Sequence, residues 1–357
     1  MRGWGWRGGR PHLRAVPRPG ASGPALFPLT LCALTAFALT SCELSETTTT
    51  QGLDRVVVEA LIEIDTPEPV PDPGSRTGVS VFLHRTLEGP DGASQPVDGA
   101  RVELVLPGGA RLGLEQVAID GCVTELPAAG TGSCYVAWRP GAPPAVWGAL
   151  APGARVELDI ETQRGERLTS VTRIPQSFEL RSVLAGGRCA HPADVPLPLE
   201  WGAAEGAWGY LAEAAIAGLP EALAPEGIEV DDDPLVLTGV AVSSADTTIV
   251  FPSEFGVFDR FDLERDLAVR LQVGVPVGIE SRVSIAAVDR NYVNWVRGGN
   301  FNPSGQVRVP SVQGDGTGFF GSTVVRWFDL QAVELEAGTP PPDGPICVVQ
   351  AGAGAQP

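Results

Sequence analysis

Cysteines, histidines and paired carboxylates are the groups in this 357-residue chain that could do chemistry, and their spacing restricts which chemistry. "GTGFFG" at 316–321 matches the G-x-G-x-x-G pattern that cradles a dinucleotide pyrophosphate. That loop needs a strand before it and a helix after it, so that the helix N-terminus faces the phosphates. Here "STVVRWFDL" follows, whose alternation predicts a strand, so no cofactor is expected. "DDDP" at 231–234 sets three carboxylates side by side, whereas a calcium loop spaces its ligands at alternate positions; it reads as a solvated turn. No G-x-S-x-G elbow is present, and His84 and His191 have no evident serine partner, so no catalytic residues are assigned. Two carboxylates could hydrolyse a glycan, but nothing in the sequence singles out a pair among so many acids.

Cys42 stands apart from the other cysteines. From Met1 to Ser41 there is no acidic residue, five arginines precede Pro24, and the apolar stretch "PALFPLTLCALTAFALTS" follows. This basic-then-apolar order is that of a secretory signal, and the apolar run, interrupted by Pro28 and several threonines, is too short for a spanning helix. Leu39, Thr40 and Ser41 precede the cysteine, an aliphatic, small, small, Cys pattern that resembles the lipobox of bacterial lipoproteins. The resemblance implies that residues 1–41 are removed and that the Cys42 thiol carries a diacylglycerol tethering the chain to the cell envelope, outer membrane expected. "ELSETTTTQG" lacks any apolar period, so 42–52 reads as a flexible stalk.

Every basic residue is arginine. Removing 1–41 leaves 20 basic against 43 acidic residues, a net of −23, which disfavours binding to nucleic acid or anionic lipid. Cys122, Cys134, Cys189 and Cys347 then remain, an even number in an exported chain, and disulfides are expected. Four cysteines permit three pairings, and the sequence alone does not choose. Cys122 with Cys134 across "VTELPAAGTGS", and Cys189 with Cys347 at the two ends of a second domain, is the favoured set. The alternatives are free buried thiols, or Cys122 and Cys134 as a metal pair; a zinc site needs about four ligands and only two histidines survive processing, so no metal is expected.

The elements that must position these residues read as all-β. "DRVVVEALIEID", "TGVSVFLHRTL", "ARVELVLPGGARLGLEQV", "SCYVAWRP" and "ARVELDIETQRGERLTSVTRIP" alternate apolar and polar residues between Gly- and Pro-rich turns, enough for one sandwich over 53–178. A Gly/Pro/Ala-rich linker is expected at 179–195 and a second sandwich at 196–335. "DTTIVFP", "DLAVRLQVGV" and "ESRVSIAAVD" continue the strand pattern in it. Trp201 ending one strand, with Trp208 and Tyr210 opening the next, resembles the start of fibronectin III-like sandwiches, where such rings fill the core. The period changes in "DRNYVNWVRGG", which predicts a short helix capped by Asp289 and stopped at Gly298, with Tyr292, Trp295 and Val296 on one face. Residues 336–357 are too rich in Gly and Pro to fold beyond Cys347. The expected architecture is thus two tandem Ig-like or fibronectin III-like β-sandwich domains, with a short helix in the second.

"NYVNWVRGGNFNPSGQVRVPSVQGDGTGFFGS" resembles the C-terminal signature of an uncharacterised family of bacterial envelope lipoproteins, known only as a domain of unknown function. Tyr292, Asn302, Pro303, Val307, Gly314, Gly316, Gly318, Phe320 and Gly321 carry that resemblance, and "RVVVEALI", "VFLHRTL" and "VDGARVELV" extend it over most of the chain. Such families often sit beside TonB-dependent outer-membrane receptors, which implies a non-enzymatic accessory with an outer-membrane protein partner. No catalytic residues come with the resemblance. Phe319 and Phe320 must point to opposite faces of a strand, so one ring is expected in the core and the other exposed; with Asn302 they form the candidate contact surface.

Overall fold

The computed structural model describes residues 54–65, 77–86, 94–119, 122, 131–138, 148–181, 187–241, 243–256, 265–297, 309–334 and 348–349. The expected signal, Cys42, the stalk, Asn302 and Cys347 lie outside the described residues.

The alternating segments form strands as their periodicity requires. In β1 (Val56–Asp65), Val56, Val58, Ala60, Ile62 and Ile64 face the core, while Glu59, Leu61, Glu63 and Asp65 face the other way. The N-terminal half continues with β2 (Gly78–Arg85), β3 (Arg101–Val105), β4 (Arg111–Gly113), β5 (Glu115–Val117), β6 (Ser133–Trp138), β7 (Arg155–Glu161) and β8 (Arg167–Arg173). The Pro-Gly-Gly turn closes β3 onto β4, with Gly108 and Gly109 at φ 85° and 84°.

Strands β9 (Arg188–Pro192), β10 (Leu197–Glu200) and β11 (Gly209–Ala217) follow, then helix α1 (Leu219–Leu223) and strands β12 (Leu235–Ala241) and β13 (Thr248–Phe251). Helix α2 (Arg265–Arg270), β14 (Glu280–Val288), helix α3 (Arg290–Arg297), β15 (Gln313–Gly314), β16 (Gly316–Val333) and β17 (Val348–Val349) complete the described elements.

One large sheet carries both halves, in the order β12-β11-β14-β16-β1-β2-β6-β5, with β9 on the far end of β16 and β17 beside β9. The five-stranded sheet β15-β8-β7-β3-β4 and the β10-β13 pair form the other sheets. A single apolar core runs through all three, from Val58, Ile62, Leu104 and Leu158 to Leu199, Phe251, Ile285 and Phe328. Each such side chain contributes about 1.5–3 kcal/mol when buried. The protein is all-β and built on sandwich packing, as its alternation predicts.

The two halves are nevertheless joined within the sheet. β1 pairs in parallel with β16 from Val56↔Gly316 to Asp65↔Val325, so the first strand of the N-terminal half is hydrogen-bonded to the last long strand of the C-terminal half. Strand periodicity cannot reveal this, because it fixes which face of a strand is buried and leaves its neighbour open.

Several local expectations are corrected. The 179–195 segment read as a linker contains β9, which pairs with β16 at Asp329↔Arg188 through Val333↔Pro192. "DLAVRLQVGV" is α2 and a 3-10 turn, Leu271–Val273, because Leu267, Leu271 and Val275, each four apart, find the core while Val269 and Val273 stay exposed. Trp208 is 43 % exposed and not core, since it precedes β11 in a bend and is not bound by strand alternation; Trp201 and Tyr210 are buried and meet edge to face at 5.3 Å. The tail does not stop folding at Cys347, because Val348 and Val349 add β17 to β9.

Candidate functional site

The long strand β16 begins within "GTGFFG", and the spacing of its glycines follows from backbone packing. Gly318 has φ 124°, and a Cβ there would lie 2.7 Å from the Val58 nitrogen on β1. A Cβ on Gly321 would sit 3.1 Å from Tyr292 Cβ and 3.2 Å from Asp289 Oδ1 on the first turn of α3. One glycine lets β1 lie alongside and the other lets α3 settle on the opposite face. The motif therefore serves close chain approach, with a strand where a phosphate loop needs a helix.

Phe319 and Phe320 do point to opposite faces, but both are buried. Phe320 is 0 % exposed in the main core. Phe319 lies under α3, edge to face with Tyr292 at 5.9 Å and stacked on Trp295 at 5.3 Å. The expected exposed ring is thus covered by the amphipathic helix itself, whose apolar face also meets Leu211, Val288 and Leu61.

Asp289 starts α3 as expected and does more than cap it. Its Oδ1 accepts from the Tyr292 N–H at 3.0 Å, and its Oδ2 accepts from Thr172 on β8 at 2.6 Å. Ser322 Oγ of β16 lies 2.8 Å from the same Thr172 hydroxyl. Asn291 Nδ2 donates to the Val171 carbonyl at 2.8 Å and the Phe320 carbonyl at 2.9 Å. Strand β8 of one sheet, β16 of the other and α3 are clasped by four short polar side chains. Burial pushes the Asp289 carboxyl above the ordinary carboxylate range, although Thr172 and backbone N–H groups donate to it. Asp289→Ala is expected to cost about 3 kcal/mol, by loss of the cap and by stranding the Thr172 hydroxyl. Asp289→Asn, which keeps an acceptor oxygen, is expected to cost about 1 kcal/mol. Urea unfolding of the two variants checks the difference.

An acidic group lies on the same face of the large sheet as α3. Glu63 of β1 is pushed up to about 8 by burial first and then by the Asp65 and Glu213 carboxylates. Burial, with Glu213 and Glu63, also raises the Tyr292 phenol. Thr323, in register with Glu63, is 4 % exposed and its hydroxyl has no hydrogen-bond partner among the described residues. Trp327 donates from Nε1 to Asp65 Oδ1 at 3.1 Å, under the Arg282 guanidinium, whose Cζ is 4.2 Å from the ring centroid. Sequence alternation placed Glu63 and Asp65 on one face but gave no sign that Glu213, from a strand three places away, shares their field.

The raised Glu63 carboxyl has a definite pH signature. The unfolded chain ionises near 4.5 while the folded chain holds its proton to about 8, so this contribution to stability is full below pH 4.5 and falls as pH rises toward 8. Glu63→Gln is expected to remove that fall and stabilise the protein at pH 8 by roughly 2 kcal/mol, with little change at pH 4.5. Melting curves at the two pH values test it; a gain that is equal at both would refute the assignment.

Cys122 and Cys134 form a disulfide, as favoured from their spacing. Cys189 is also disulfide-bonded. Its expected partner Cys347 is outside the described residues, while Val349 pairs with Cys189 across β17 and β9. Asp231, Asp232 and Asp233 are exposed, and Asp233 Oδ1 accepts from the Gly218 N–H at 2.8 Å. Among the described residues, no three His, Cys, Asp or Glu side chains are placed to hold a metal ion.

No family model matches the chain, and no curated protein matches it. Among solved structures, it is similar to the FN1–FN3 domains of chicken CNTN1 at 11 % identity, with a TM-score of 0.22, over 66 % of this chain and 62 % of that one. This chain therefore matches less than two thirds of that structure, and a likeness at that score carries no argument about function.

Proposed function

We propose that this protein is a lipid-anchored envelope lipoprotein whose all-β body is a non-enzymatic binding or assembly partner, accessory to an outer-membrane receptor of the TonB-dependent kind. The observation that carries this reading is a disulfide-bonded body that follows the Leu-Thr-Ser-Cys sequence ending at Cys42. Disulfides persist in oxidising compartments outside the cytoplasm, where a lipidated chain is also held. The body's net charge of −23 and a stalk without apolar periodicity leave the lipid as the membrane attachment. Mass spectrometry of the membrane fraction is the test. A diacylglycerol-bearing Cys42 as first residue is expected, and an unmodified Cys42 or a chain retaining Met1 would overturn the reading.

A second reading, a secreted hydrolase acting on glycans, has one observation in its favour. Glu63 keeps a proton near neutral pH, as a general acid must, and lies in the field of other carboxylates. The two readings part at Glu63→Gln. An accessory protein keeps its partner on that change, whereas a glycosidase loses turnover by a factor on the order of 100 or more.

A further inference from the structure

The clasp between the two sheets is buried, but its outer rim is not. Trp208 is 43 % exposed and carries the Arg290 guanidinium over its ring, Cζ 5.0 Å from the centroid. Arg290 is the first residue of α3, and its neighbour Asn291 bonds the carbonyl of Val171, itself exposed on β8. Arg173 lies two residues on, exposed on the same face of β8 as Val171. Trp208 and Arg290 are in contact, and Val171 and Arg173 present aliphatic and cationic side chains on the exposed face of the strand to which Asn291 is bonded.

The charges decide what these groups fit. On a body of net charge −23, Arg101, Arg111, Arg167, Arg270 and Arg282 each pair with a carboxylate. Among the described residues, Arg55, Arg173, Arg181, Arg188, Arg265 and Arg290 pair with no carboxylate, and of these Arg290 is the one that lies over an exposed Trp ring. Exposed Trp and Arg together have the composition of interface anchors, and guanidinium groups left without carboxylates call for them on the other side.

Position adds a second constraint. Phe320, whose carbonyl shares Asn291 with Val171, pairs with Ala60, four residues into β1 and so about 13 Å from where the chain arrives from Cys42. The opposite end of the long strand carries exposed Val273 and Val277, beside the contact of Gly278 with Ala332. The seam thus lies toward the tethered end.

We propose that Trp208, Arg290, Val171 and Arg173 mark the surface by which the tethered body docks on a membrane-embedded protein that presents an acidic, apolar segment. This rests on the reading of the chain as an envelope accessory. The test uses the full lipidated chain in its own membranes, with a benzophenone-bearing residue in place of Trp208 and, separately, of Val273. Irradiation is expected to link position 208, and not 273, to a membrane protein through a peptide rich in Asp and Glu. The double variant Arg173→Glu, Arg290→Glu is expected to lower that adduct about tenfold with an unchanged melting temperature. An adduct from position 273 alone, a link to a second copy or to lipid, or indifference to charge reversal overturns the surface while leaving the accessory reading standing. No protein adduct at either position overturns both.

Discussion

Exporting the chain from Glu43 onward, behind a signal that leaves no lipidated cysteine, is expected to move it from the membrane to the soluble fraction. Acyl chains contribute about 0.8 kcal/mol per buried methylene, and two or more chains hold a protein stably. Nothing else in the described body supplies comparable affinity for lipid. The exposed large apolar side chains, such as Val171, Val269, Val273 and Val309, are scattered over different elements, and the net charge of −23 repels anionic lipid. The drop in the bound fraction is expected to be on the order of a hundredfold or more by ultracentrifugation and immunoblot. Melting should be unchanged, because the described body, whose first residue Asp54 pairs with Arg85 at 2.8 Å, keeps all its contacts when Cys42 is removed. A chain that stays bound to protein-free vesicles without its lipid would remove the basis for the proposed function.

Gly318→Ala is expected to be the most damaging single substitution in the sheet. At φ 124° an L side chain is strained, and the added carbon would meet the Val58 backbone, which cannot swing aside as a side-chain tip could. Strain and overpacking together should cost about 4 kcal/mol, enough to lower the melting temperature by roughly 8–16 °C in a domain of this size. Gly108→Ala is the control, with φ 85° and no atom within 4 Å of its added carbon, and should cost only about 1 kcal/mol. The contrast isolates the β1–β16 contact from backbone strain alone. Equal losses for the two variants would show that this close approach is not what holds the halves together.

Much of the fold was legible because alternation is a local signal. Val56 to Ile64, Val156 to Ile160 and the cap at Asp289 each carry their instruction within a few residues, and the structure follows them. "DLAVRLQV" shows the limit of that signal. Leu267, Val269, Leu271 and Val273 alternate, yet Leu267 and Leu271 alone also satisfy a helical spacing, and the available core selected the helix. Trp208 fails for a related reason, since a residue one step outside a strand is not committed to either face.

The candidate site was less legible. The aromatic pair at 319–320 was correctly divided between two faces, but which face was solvent depended on whether α3 folded back over β16. Glu63, Glu213 and Tyr292 come from three separate elements, and their mutual influence exists only once those elements meet.

By itself the sequence determined the export signal and its tethering cysteine as an expectation, the all-β character, the acidic surface and the short capped helix, since each is written in composition or in spacing over a few residues. Tertiary structure alone decided that β1 joins β16 and so merges two sandwiches on one sheet, that Phe319 is covered, and that Trp208 and Arg290 stand exposed at the seam. Strand partners and helix docking depend on contacts between residues far apart in the chain, and periodicity, which sees only neighbours, cannot specify them.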